Sequence, residues 1–148
     1  MTTCYQWFSF PDEFSVVCTK CRLEARCSNA SIVKAKQIDR VIHYEAVGKP
    51  GVFEGDVSCL NCGFTGRLKL NWSQDAYWKC DVKGRILWAW SLEHTKVLLN
   101  YIKSSDRDEK AYPGYLSSLL HLPTHFKLAK NRKVVVKSLM RLVTYSRR

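Results

Sequence analysis

Two Cys-x-x-Cys pairs constrain this chain more than any other feature: Cys18-Thr19-Lys20-Cys21 and Cys59-Leu60-Asn61-Cys62-Gly63. A Cys-x-x-Cys turn aims two sulfurs at one point, and two such turns supply the four thiolates of a closed tetrahedral metal site. Gly63 suits the residue that leaves such a turn with positive φ. Seven cysteines in 148 residues would suggest disulfides in a secreted protein. Here the N-terminus Met1-Thr2-Thr3-Cys4-Tyr5-Gln6 has no basic segment followed by an apolar one, so the expectation is a chain that is not secreted. In a reducing cytoplasm, or a nucleus, paired cysteines suggest metal before bridges.

The two pairs with the strands around them resemble the zinc-ribbon family, in which two knuckles at the ends of β-hairpins clamp one zinc. The resemblance covers Cys18, Cys21, Cys59, Cys62 and Gly63, and implies one structural Zn²⁺ bound by the four cysteines. A closed four-thiolate site has no open position for water or substrate. The thirty-seven residues between Cys21 and Cys59 depart from the usual spacing of roughly 15–20. Either the insert is structured or the knuckles come from separate hairpins. A thioredoxin-like redox pair is disfavoured because no βαβ pattern surrounds either motif. Cys27 fits no knuckle spacing, and Cys4 and Cys80 read as small buried hydrophobes.

Alternation predicts an antiparallel β region over residues 1–90. Leu23, Ala25 and Cys27 should share the inner face of a strand leaving the first knuckle. Residues 31–47 lean to strand, and Gly48-Lys49-Pro50-Gly51 reads as a turn. Phe64, Gly66, Leu68, Leu70 and Trp72 alternate strictly with polar residues. A hairpin turns at Lys83-Gly84, with Ile86, Trp88 and Trp90 on one face of its second arm. Residues 91–148 change to helical period, so the fold class is α+β: an antiparallel zinc-ribbon-like sheet followed by C-terminal helices. Ser91 should cap a helix to about Ser104, Pro123 should end a short one, and Asn131 should cap a last helix to about Tyr145. His94 reads as a surface or capping residue.

The net charge of +11 is one-sided. Residues 1–62 hold seven basic and seven acidic side chains, whereas residues 63–148 hold 17 and six. A polyanion partner follows from this asymmetry. On the last helix Lys130, Lys133, Lys137, Arg141 and Arg148 form a stripe at 100° per residue, opposite Val135, Val136, Leu139, Met140, Leu142 and Val143. Lys127, Arg132 and Arg147 extend it. Like charges at i, i+4 repel, and a polyanion would relieve that. The expected function is non-catalytic binding of DNA or RNA through this basic surface. The alternative is a zinc-stabilised adaptor docking on an acidic protein in a larger complex. Trp72, Trp78, Trp88 and Trp90 are read as core in preference to base-stacking platforms. No metalloprotease, phosphate-loop or nucleophile motif occurs, so no enzyme is expected. No apolar run reaches the roughly 18 residues of a membrane span.

Overall fold

The computed structural model describes residues 10–49 and 51–145. Strands β1 (Glu13–Val17), β2 (Glu24–Ser31), β5 (Val52–Ser58) and β6 (Thr65–Asn71) form one antiparallel sheet in the order β1-β2-β5-β6. Each knuckle is the tip of a hairpin, the first between β1 and β2 and the second between β5 and β6. Because β2 and β5 are antiparallel neighbours, with Arg26 opposite Ser58, both tips lie at the same end of the sheet. The long spacing between the pairs is thereby explained, and both expectations for it hold. The chain leaves the knuckle end along β2, makes a separate hairpin of β3 (Val33–Ile38) and β4 (Val41–Ala46), and returns along β5.

The register of β2 against β5 shifts between Ser28 and Ser31, where Asn29 has φ +52°. Asn29 Nδ2 donates to Asp56 at 2.9 Å, and Arg67 donates both to Asp56 at 3.0 Å and to the Asn29 carbonyl at 3.3 Å. This clamp fixes the bulge from which the β3–β4 hairpin departs.

The sheet's inner face is aromatic. Phe14, Phe53, Trp72, Trp88 and Trp90 are buried, with ring centroids of Phe14–Trp90 and Trp88–Trp90 4.7 Å apart and Trp72–Trp90 4.9 Å apart. Such edge-on and stacked contacts add about 0.5–1.5 kcal/mol each beyond the buried area. The core reading of the tryptophans holds, Trp78 included. These rings are not available for base stacking.

A third sheet, β7 (Trp78–Val82) with β8 (Arg85–Ala89), covers the free edge of β1. Ser15 N–H donates to the Trp90 carbonyl at 2.7 Å, and Val17 N–H to that of Asp75 at 3.0 Å. Leu87, Trp88, Ala89 and Trp90 are all buried while Ile86 is exposed. Ile86 and Trp88 alternate with Leu87 and Ala89 along β8, and the second side is buried as well because helices pack on it. Leu23 is corrected: it is about half exposed, since ladder pairing begins only at Glu24.

Helix α1 (Leu92–Lys103) begins where the sequence placed it. Ser91 Oγ accepts from the His94 N–H at 3.1 Å, and Ser104 closes the other end. Short helices α2 (Leu116–Leu120) and α3 (Thr124–Lys127) lead to α4 (Arg132–Tyr145), which packs on α1 and β7. Asn131 is not its side-chain cap. It is buried in a 3₁₀ turn, where Oδ1 accepts from Lys83 Nζ at 2.7 Å and Nδ2 donates to the His125 carbonyl at 2.7 Å. His94 is buried as well. The helix start it sits on is roofed by Tyr115, stacked at 5.3 Å.

Candidate metal centre

The two knuckles are built alike. Cys18 N–H donates to the Leu23 carbonyl at 2.8 Å and Arg22 N–H to the Cys18 carbonyl at 3.0 Å. Cys59 N–H donates to the Phe64 carbonyl at 2.8 Å and Gly63 N–H to that of Cys59 at 2.9 Å. Gly63 has φ +79°, as its sequence position predicts, and Arg22 holds the equivalent place with φ +68°. That second left-handed residue was not legible, because an arginine carries no sign of it.

The sulfurs converge. Cys18 and Cys62 lie 3.6 Å apart, as do Cys21 and Cys59, and all four ligand atoms fall within 4.8 Å of one another. Four sulfurs held about 2.3 Å from one tetrahedral ion would be about 3.8 Å apart. The donor set therefore fits a metal of the size and softness of zinc.

Its electrostatics ask for a cation. The backbone N–H of Cys21 first, then that of Lys20 and the thiols of Cys62 and Cys21, bring the Cys18 thiol down to about 6 against the opposing effect of desolvation. Cys21 is lowered too, chiefly by the Leu23 amide. At Cys62 the Phe64 amide also pulls downward, but desolvation and the three neighbouring sulfurs push the thiol up to about 11. Protein groups alone thus favour some thiolates and resist the full set, since like charges at contact distance disfavour one another. A dication removes that conflict.

Cys27 lies outside the cluster. It is buried, with its thiol pushed up to about 12 by burial first and by Asp56 second. Cys80 is half-buried and raised to about 11 for the same first reason, with Asp81 adding to it. Cys4 lies outside the described residues.

The basic residues fall into three groups. Lys130, Lys133, Lys137 and Arg141 are exposed, on the approach to α4 and along it. Arg132 and Lys127 are half-buried. Arg132 lines a groove of about 640 Å³ with Lys103, Lys133, Lys137 and Arg141, and the same groove exposes Val136 and Met140. The pKa of Lys127 is lowered, by burial first, although Glu109 opposes this. Arg147 and Arg148 lie outside the described residues. Met140 is 49% exposed, so it leaves the apolar face assigned to it and joins the groove.

No protein-family model matches the sequence, and no curated protein and no solved structure matches it either. Among the described residues, no helix is long and apolar enough to cross a membrane.

Proposed function

We propose that this chain is a zinc-ribbon protein that binds nucleic acid without catalysis, its zinc structural and its contact surface the basic groove along α4. The carrying observation is the groove's charge. Five cations line it and no carboxylate does. Among the described residues, the ion pairs within 4 Å involve Arg26, Arg67 and Lys96 and none of these five. Solvated faces usually mix both signs, whereas a surface that tracks phosphates collects one. The closed thiolate set supports the non-catalytic part, because it leaves no position for a substrate. Lysines outnumber arginines along the groove, which suits contact with a phosphate backbone more than bidentate recognition of guanine.

One observation favours the adaptor reading. Val136 and Met140 lie among the cations, and a phosphate backbone has no use for a thioether. An acidic segment with an apolar face would use both.

Replacing Lys130, Lys133, Lys137 and Arg141 together with Gln tests the proposal. Gln is nearly as good a helix former as Lys or Arg, so stability should hold. Affinity for nucleic acid should fall, and the log–log salt slope on duplex DNA should flatten by up to roughly 0.9 for each phosphate the variant no longer neutralises. A folded variant that binds duplex and single strands as the parent does, at the same slope, refutes the proposal. Met140→Ala separates the readings: it should spare nucleic-acid affinity and weaken an acidic protein partner.

A further inference from the structure

The β3–β4 hairpin stands at the end of the sheet opposite the metal centre, and it pairs with no other strand among the described residues. Directly opposed residues share a face, so the register puts Val33 and Ala46, Ala35 and Tyr44, and Gln37 and Ile42 on one side. That side carries no charge, yet Tyr44 is 69% exposed and Ile42 57%. A lone two-stranded ribbon is marginal in water, and three or more strands are needed for independent stability.

The backbone says which strands could join. Val47 N–H donates to the Ile32 carbonyl at 2.9 Å, which sets the phase of the ladder. Val41, His43 and Glu45 turn their backbone groups toward β3, and Ile42, Tyr44 and Ala46 turn theirs outward. An uncovered edge of this kind is a template for another strand.

We propose that the strand is β4 of a second copy, antiparallel about a two-fold axis at Tyr44. Centred there, all three outward-bonding residues find partners: Ile42 with Ala46 of the second copy, Tyr44 with Tyr44, and Ala46 with Ile42. His43 then stands opposite Glu45 of the second copy, twice. Centring on His43 instead sets histidine against histidine, with Lys36 beside each. Centring on Glu45 sets carboxylate against carboxylate. Charge therefore selects the Tyr44 register. The same operation on β3, about Ala35, opposes two lysine positions, 34 and 36. The product is a four-stranded sheet, β3-β4-β4-β3, with one continuous apolar face. Such a self-complementary contact closes as a two-fold dimer. It does not depend on what the α4 groove binds.

Light scattering or sedimentation of the full metal-loaded chain should give twice the 17.1 kDa of one copy. A mass of one copy at every concentration reached overturns the proposal. Residues of a hydrogen-bonded antiparallel pair have Cα atoms about 5.5 Å apart, within disulfide reach. Mild oxidation should therefore cross-link Tyr44→Cys into covalent dimers beyond the parent's level, while His43→Cys should not. The reverse pattern overturns the register and with it the proposal. Glu45→Lys should halve the mass, and adding His43→Glu should restore it by re-pairing opposite charges. A Glu45→Lys protein that remains dimeric overturns the proposal, because another surface then holds the copies together.

Discussion

The sulfur of Cys27 occupies the space a side chain on Gly55 would need: an ideal Cβ there would sit 2.3 Å from Cys27 Sγ. Cys27 stands opposite Val57 in the β2–β5 ladder, so Gly55, two residues before Val57 on the same face of β5, is its diagonal neighbour. Gly55→Ala should therefore overpack the sheet and cost about 1–3 kcal/mol, read as a lower denaturation midpoint. The double variant with Cys27→Ala should recover much of that loss. Simple additivity of the two single changes would show that the contact is not the cause.

The knuckles predict an asymmetric response to glycine. Arg22 holds a left-handed conformation that costs an L-residue roughly 1–2 kcal/mol. Arg22→Gly should relieve it, offset in part by the greater freedom of glycine in the unfolded chain. The expected result is a gain of up to about 1 kcal/mol with metal content unchanged. Gly63→Ala at the equivalent place should destabilise.

Metal removal should unfold the β region, because a site of four sulfurs couples binding to folding. Elemental analysis should find about one zinc per chain. Cys59→Ser should lose the metal and most of the soluble protein, while Cys80→Ser should keep both. Well-folded protein without metal would refute the coupling.

Asn131 ties the β7–β8 hairpin to α3 and α4 through Lys83 and the His125 carbonyl. Asn131→Ala leaves that partly buried carbonyl without its donor and Lys83 without its acceptor, a loss of about 1–3 kcal/mol. Thermal unfolding should show it. If the residue were merely a helix cap, Asn131→Asp or Asn131→Ser would rescue the loss. Neither should, because neither can reproduce both bonds.

What was legible in the sequence was what local chemistry decides. The Cys-x-x-Cys turns, the Ser91 cap, the Lys83-Gly84 turn and the period of each strand depend on residues a few positions apart. The four cysteines also converge as their spacing predicted, since hairpin topology brings the two tips together. The misses depend on what comes from far along the chain. Met140 leaves the buried face because the groove beside α1 opens there. Leu87 and Ala89 are buried because helices cover the second side of β8, which alternation along one strand does not reveal. Asn131 looks like a cap until Lys83, in another hairpin, reaches it. Exposure of the β3–β4 ribbon has no local sign at all, since alternation reads the same whether or not a partner covers the apolar side.

His94 is the sharpest of these cases and yields a pH dependence. Its Nδ1 accepts from the Trp90 N–H at 3.0 Å, so the proton of the neutral ring is on Nε2, a buried atom with no partner among the described residues. Burial brings its pKa down to about 4 from an ordinary value of 6.5. The unfolded chain therefore takes up a proton between these two values and the folded chain does not. Stability from this group is complete above about pH 6.5 and is lost as pH falls toward 4, where the loss levels off. One unit corresponds to about 1.36 kcal/mol, so the full loss is of the order of 3 kcal/mol. Denaturant midpoints measured between pH 4 and 7.5 should fall on the acid side of neutrality. Thiolate ligands also give up metal as protons compete, so the comparison must be made with His94→Gln at equal zinc loading. That variant lacks a titrating ring and should be less stable at pH 7 but flatter between pH 6.5 and 4. An equal slope in both proteins would assign the whole acid loss to the metal site and none to His94.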